Sequence, residues 1–296
     1  MTLKRPSPDS PLVSIVLPTH NGARYLQQSI DSCLGQTWGD IELILVDDGS
    51  TDTETVRIVD SQADPRVRIV RVEKNAGLPD ALNAGFERAK GDLLTWTSDD
   101  NLFRPEAVGR MVAFLREENV DFVYASAAVI DEEGRVIGAM LPRSPEFLMI
   151  DNCIGACFLY TRRVYEKVGR FDPETRLAED YDYWVRASKH FRMVFLNEDL
   201  YLYRRHPGAL TSVHGQRRLD EMIEKVRRRH FSRAAILRAE GLRAFHRGEK
   251  GEARALLAGA MTRRPWWLGL LRPLAICVLP DWVVGVIVRW RRRIRR

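Results

Sequence analysis

Short runs of β-branched and apolar residues recur at 13–17, 41–46, 67–72 and 93–97, and each gives way to a polar loop and then to a stretch with helical spacing. Strands alternating with helices of about 10 to 15 residues predict βαβ crossovers, and hence a mostly parallel, Rossmann-type sheet covered on both faces. Ligands of such sheets bind beyond the carboxyl ends of the strands. Three polar loops fall there: His20-Asn21-Gly22, Asp47-Asp48-Gly49-Ser50 and Ser98-Asp99-Asp100-Asn101.

Beyond Asp121 the regularity weakens. An apolar strand at 122–125, a hairpin around 131–134 and an apolar stretch at 154–160 predict a mixed α+β half, and the residues around Tyr183-Trp184-Val185 read as an amphipathic helix. Residues 219–262 are rich in Ala, Arg and Leu at helical spacing, with a turn at 248–251, which predicts a helical hairpin. The segment from Pro265 holds four of the seven tryptophans and ends in an arginine cluster, but Arg272-Pro273 and Pro280-Asp281 break its apolar runs. No window reaches the ~18 uncharged residues of a spanning helix. An interfacial segment with belt tryptophans and arginines facing anionic lipid is expected instead. The predicted organisation is a flexible 1–11, a catalytic α/β domain at 12–212, a helical hairpin region at 213–263 and a membrane-associating segment at 264–296.

Charge sharpens this division. The net +6 conceals 21 Lys and Arg against 7 Asp and Glu from Val213 onward, so the tail carries +14 and the preceding body −8. A basic, tryptophan-rich tail on an acidic body favours a membrane surface over nucleic acid as partner. Four cysteines without C-x-x-C spacing suggest neither a zinc site nor a disulfide framework. The polar start, with no apolar core, reads as neither signal peptide nor anchor, so the expected location is cytoplasmic, peripheral at the inner face of the membrane.

The adjacent carboxylates Asp99 and Asp100 are the sharpest chemical signal. Neighbouring side chains on a strand point to opposite faces, so both can serve one site only where the strand stops. Paired carboxylates there repel unless compensated, and they select a hard cation such as Mn²⁺ or Mg²⁺ that keeps positions for waters and phosphates. The plainer alternative is that one of them caps the helix starting near Pro105. Asp47 and Asp48 form an acceptor-rich loop suited to the N–H of a base or the hydroxyls of a ribose, or simply a capped strand-to-helix turn.

With its ordered blocks Val13-Ser-Ile-Val-Leu-Pro-Thr-His-Asn, Glu42-Leu-Ile-Leu-Val-Asp-Asp-Gly-Ser-Thr-Asp, Asn75-Ala-Gly with Ala81-Leu-Asn-Ala-Gly, Gly91-Asp-Leu-Leu-Thr-Trp-Thr-Ser-Asp-Asp, and Glu179-Asp180, the sequence resembles the family 2 glycosyltransferases over residues 12–210. The resemblance implies a GT-A-like fold and sugar transfer from a nucleoside-diphosphate sugar, a UDP-sugar foremost. It implies that Pro18, Thr19, His20, Asn21, Asp47, Asp48, Asn83, Asp99 and Arg205 contact the nucleotide. Asp99, Asp100 and His206 would hold Mn²⁺ or Mg²⁺, with Asp100 the direct ligand, and Asp180 would be the catalytic base. Thr97 stands where many relatives carry a further Asp, a departure that bears on the metal geometry.

A carboxylate at 180 can deprotonate an acceptor hydroxyl if it is within reach and partly desolvated. Direct displacement would invert the anomeric centre. Processive synthases carry a Q-x-x-R-W block, which Gln216-Arg-Arg-Leu does not match, so single-sugar transfer is expected, onto a lipid-linked or other membrane-proximal acceptor in cell-surface polysaccharide or glycolipid biosynthesis. No G-x-G-x-x-G or Walker glycine loop supports a dehydrogenase or NTPase. The competing reading is a catalytically inactive GT-A-like nucleotide-binding module with a basic membrane- or nucleic-acid-binding tail.

Overall fold

The computed structural model describes residues 10–263. Its strands are β1 (Val13–Thr19), β2 (Ile41–Asp48), β3 (Val67–Val72), β4 (Leu93–Trp96), β5 (Leu102–Phe103), β6 (Phe122–Ile130), β7 (Val136–Met140), β8 (Cys157–Thr161) and β9 (Met193–Arg204). The helices are α1 (Ala23–Leu34), α2 (Thr53–Asp60), α3 (Leu78–Phe86), α4 (Ala107–Glu117), α5 (Arg162–Val168), α6 (Glu179–Ser188), α7 (Leu210–His230), α8 (Arg233–Arg247) and α9 (Lys250–Arg263). One sheet runs in the order β3-β2-β1-β4-β8-β6-β9-β5, with β7 paired to β6. Strands β3, β2, β1 and β4 are mutually parallel, β8 is antiparallel to both its neighbours, and β9 runs parallel to β6.

The parallel half follows from the sequence run by run. Strands β1 and β2 are buried along almost their whole length, as strands covered on both faces must be, so apolar residues occupy both registers. Helix α3 seats tightly because Gly85 has no side chain. A Cβ there would lie 2.4 Å from Val16 Cγ1 and 3.0 Å from Val46 Cγ2. The side chain of Asp52 caps α2 by accepting from the Thr55 amide at 2.8 Å.

The second half is mixed α+β. Strand β6 outruns the expected 122–125 because the small residues Ser126, Ala127 and Ala128 continue its pairing with β9 through a register shift. The hairpin falls at the expected place, the carboxylate of Asp131 holding the turn by accepting from the amides of Glu133 and Arg135. Helix α6 differs from the amphipathic expectation: Tyr183, Trp184 and Val185 are all fully buried. The Trp184 ring centroid lies 4.5 Å from that of Phe158 and 5.2 Å from that of Phe122, locking α6 onto β8 and β6. Asp180 therefore enters on a rigid helix.

The chain divides into two compact units, with the boundary between Val226 and Arg227. Helix α7 runs across that position and is kinked earlier, at Gly215 (φ 75°). In the second unit, Ser232 caps α8 and Gly248 ends it in the left-handed region (φ 82°). Helices α8 and α9 then pair over Leu237, Leu257 and Ala260. The bare backbone of Gly241 admits Leu257, whose Cγ would stand only 2.7 Å from a Cβ there. Among the described residues no helix is long and apolar enough to cross a membrane. The proposed membrane segment at 264–296 lies outside the described residues.

Candidate active site

A cleft of about 510 Å³ opens at the carboxyl ends of β1, β2 and β4. Of the residues singled out from sequence, Pro18, Thr19, His20 and Asn21 line it from β1 and its loop, Asp48 from β2, Asp99 and Asp100 after β4, and His206 after β9. Asn21 adopts φ 55° and its Oδ1 accepts from the amides of Thr51 and Asp52 at 2.8 and 3.1 Å, tying the first two loops together. The Nδ1 of His20 lies 2.9 Å from the Asp48 carbonyl oxygen, so that nitrogen carries the proton. The two carboxylate oxygens of Asp48 accept the amides of Ala76 and Gly77, each at 2.9 Å, which draws the turn before α3 to the cleft.

The acidic pair sits where Gly22 leaves room. A Cβ on Gly22 would fall 1.9 Å from Asp99 Oδ2, the oxygen that accepts from Thr19 Oγ1 at 2.6 Å. Burial, reinforced by the charge of Asp100, pushes the Asp99 carboxyl up to about 7. Burial also raises Asp100, and its bond to His206 opposes the rise. Asp100 Oδ2 lies 3.0 Å from His206 Nε2, while Oδ1 is buried and meets no hydrogen-bond partner. Such an orphaned oxygen beside an imidazole suits a divalent cation that takes one or two protein ligands and completes its shell with water and phosphate. Among the described residues no three His, Cys, Asp or Glu side chains gather into a metal cage. Thus Asp100 and His206 fit a cation as a pair, and Asp99 is engaged with Thr19.

Other expected residues stand elsewhere. Asp47 faces away from the cleft lining, its Oδ1 accepting from Ser50 N at 2.9 Å and its Oδ2 from Arg71 at 3.2 Å. Asn83 is a buried staple whose amide spends both ends on the backbone of Phe171, at 2.8 and 2.9 Å. Arg205 is exposed and contributes no cleft lining; its amide donates to the Ile130 carbonyl at 2.8 Å. Thr97 is also turned inward, 2.6 Å from the hydroxyl of Tyr201. Asp180 does not line the cleft. Its Oδ2 accepts from Asn152 Nδ2 at 2.7 Å and its Oδ1 from the Tyr181 amide at 2.6 Å, and burial raises its pKa against both bonds. Burial raises the Tyr203 phenol, and the charges of Asp100 and, more weakly, Asp180 add to the rise.

The sequence profile of glycosyl transferase family 2 matches residues 14–169, more than half of the chain. The chain belongs to this glycosyltransferase family. An uncharacterized glycosyltransferase of Rickettsia prowazekii is 33% identical over 216 residues, covering 69% of this chain and 67% of the relative. Glycosyltransferase GlyG of Streptococcus pneumoniae is 29% identical over 227 residues, covering 68% and 73%. Three other rickettsial glycosyltransferases are longer, the match spanning 32%, 29% and 31% of their length. The crystal structure of S. aureus TarS 1-349 in complex with UDP-GlcNAc superposes with a TM-score of 0.58 at 17% identity, covering 84% of this chain and 80% of that one. The likeness shows a shared fold.

Around the cleft of this family 2 glycosyltransferase lie further residues that the motifs do not mark. Arg204, the neighbour of the expected Arg205, is 3% exposed. Its guanidinium donates to the Asp100, Asp131 and Glu132 carbonyls and to Gln28 Oε1, and lies 4.3 Å over the Tyr25 ring. Tyr25 in turn meets the His206 ring edge-on at 5.1 Å. Alternation along β9 separates the faces of Arg204 and Arg205, but the local pattern carries no sign of which face is inward. Arg176, beside Gly77, brings a further cation to the cleft.

Proposed function

We propose that the protein transfers a single glycosyl group from a nucleoside-diphosphate sugar, a UDP-sugar foremost, to an acceptor hydroxyl with inversion at the anomeric carbon. The observation that carries this reading is the meeting of Asp48, Asp99, Asp100 and His206 around one cleft, with a buried Asp100 oxygen left unpaired. S. aureus TarS, which shares the fold, has been crystallised with UDP-GlcNAc and with UDP, and this supports the choice of donor.

In this mechanism the loops of β1 and β2 seat the nucleoside, with Asp48 able to accept from the base through lone pairs its amide bonds leave open. Asp100 and His206 would hold Mn²⁺ or Mg²⁺, and the cation would supply positive charge to offset that of the diphosphate. Asp180 takes the proton of the acceptor hydroxyl while that oxygen bonds to the anomeric carbon. The bond from that carbon to the diphosphate oxygen breaks, and its electron pair leaves with the nucleoside diphosphate. Burial makes Asp180 a stronger base than a solvated aspartate.

The sequence of the tail supports a peripheral position at the cytoplasmic face of a membrane, with a lipid-linked acceptor in cell-surface polysaccharide or glycolipid assembly. The donor reading is tested by melting the protein with a panel of nucleoside diphosphates, with and without Mn²⁺. A ligand at 100 times its Kd adds about 2.7 kcal/mol. One nucleotide is expected to raise the melting temperature in a metal-dependent way, and a panel without any shift overturns the reading.

A further inference from the structure

Asn152 lies in the loop that joins the short 3-10 turn Pro145–Met149 to β8. Its surroundings fix it from both sides. Asp151 is ion-paired with Arg143, the Cys153 carbonyl accepts from the Arg143 amide at 2.9 Å, and Cys153 and Ile154 are buried. The Tyr181 hydroxyl donates to the Leu148 carbonyl, fastening the same turn to α6 beside Asp180.

The amide of Asn152 is used asymmetrically. Nδ2 donates to Asp180 Oδ2 at 2.7 Å, while Oδ1 is buried with no hydrogen-bond partner. A structural asparagine in this protein looks different: Asn83 pairs both ends of its amide with the backbone of Phe171. A buried acceptor left unpaired costs about 1–3 kcal/mol, so a residue kept solely for packing would not retain it. What Asn152 provides in return is a single bond to a carboxylate.

Among the described residues no other side chain donates to Asp180. The remaining donors to its carboxylate are the amides of Tyr181 and of Asp180 itself. The titratable groups that respond to its charge are Glu179 on α6, pushed up to about 8 by burial and then by Asp180, and Tyr203 on β9, also raised. Both are neutral across the acid range in which a carboxyl ionises. Arg176, ahead of α6, acts on Glu179, and Arg205 acts on Tyr203. We propose that Asn152 is the positioning residue of the base, fixing the Asp180 carboxylate through Nδ2 and stabilising its ionised form in a desolvated place. This rests on the assignment of Asp180 as base.

The sign of the effect follows. A base acts when ionised, so kcat rises with pH through its pKa. Removing a hydrogen bond that favours the ionised form raises that pKa and moves the acid limb to higher pH. The test uses the full chain with a panel of nucleoside-diphosphate sugars, glycerol as the hydroxyl probe and release of nucleoside diphosphate as the readout. Asn152→Leu keeps the shape and loses the donor. Its expected kcat falls by up to about tenfold on the acid limb, the deficit narrows as pH rises, and the limb shifts up by about one pH unit. KM for the donor and the nucleotide-induced melting shift stay at the parent values, because Asn152 does not line the cleft. Asn152→Asp, which sets a second carboxylate against the first, is expected to move the limb further. An unchanged acid limb in both variants, or a kcat loss equal at every pH, overturns the proposal. Failure of the parent protein to respond to any nucleotide overturns the functional reading itself, and Asn152 with it.

Discussion

Substituting Gly22 tests the geometry of the acidic pair at its tightest point. Gly22 has φ −97°, an angle any residue adopts, so only space excludes a side chain. The Cβ of Gly22→Ala would arrive 1.9 Å from Asp99 Oδ2 and 2.8 Å from Thr19 Oγ1. A carbon–oxygen contact needs about 3.3 Å, so the carboxylate must retreat by roughly 1.4 Å. That breaks its 2.6 Å bond from Thr19. A hydrogen bond to an ionised group contributes about 1.5–3 kcal/mol, and the lower end applies because burial lifts Asp99 to about 7, leaving it only partly ionised at neutral pH. The expected loss of about 1.5 kcal/mol lowers the melting temperature by about 3 to 6 °C. Nucleotide affinity in the presence of Mn²⁺ is expected to fall about tenfold, equivalent to 1.4 kcal/mol. Thermal melts with and without nucleotide measure both. If Asp99 transmits the effect, Gly22→Ala adds little on an Asp99→Ala background. Parent-like melting and affinity, or a full penalty on that background, would refute the steric argument.

Four further outcomes are expected. Gly85→Ala drives a methyl into Val16 and Val46, and overpacking of about 1–3 kcal/mol, offset by up to about 1 kcal/mol of helix propensity, should leave a net loss in urea unfolding; an unchanged midpoint would mean that α3 is not seated as described. Asp180→Asn should keep the nucleotide-induced melting shift and lose transfer, whereas Asp100→Ala should lose the Mn²⁺ dependence of that shift; transfer by Asp180→Asn at the parent rate would dismiss Asp180 as base. Deleting residues 265–296 should release the protein from anionic liposomes in a sedimentation assay while nucleotide binding persists, and a truncated protein that still sediments would remove the tail as anchor.

The parallel half of the fold was legible in the sequence because its signals are local. Each apolar run at 13–17, 41–46 and 67–72 lies inside a strand, and the polar residues that follow β1, β2 and β4 meet at one edge. Parallel register places successive strand ends together once the order is known. What stayed hidden depends on tertiary partners. Asn83 sits in a motif block, yet its amide pairs with Phe171, far along the chain. Arg204 and Arg205 are indistinguishable as neighbours until β9 pairs with β6 and turns one of them inward. Helix α6 has the charges of a surface helix, but Asp182 is buried with Arg186 at 2.8 Å, and the aromatic residues between them fill the space over β8. Nor does spacing reveal that Asn152 reaches Asp180.

Arg204 has a consequence for redesign. One guanidinium grips the loop of Asp100, the tip of the Asp131 hairpin and the middle of the first crossover helix at Gln28. These segments are far apart in the chain but share a fastener, so a change made at the hairpin tip is felt at Asp100. Attempts to alter what this enzyme accepts would therefore do better at rim positions outside that hoop, such as Arg176, whose replacement leaves the fastener intact.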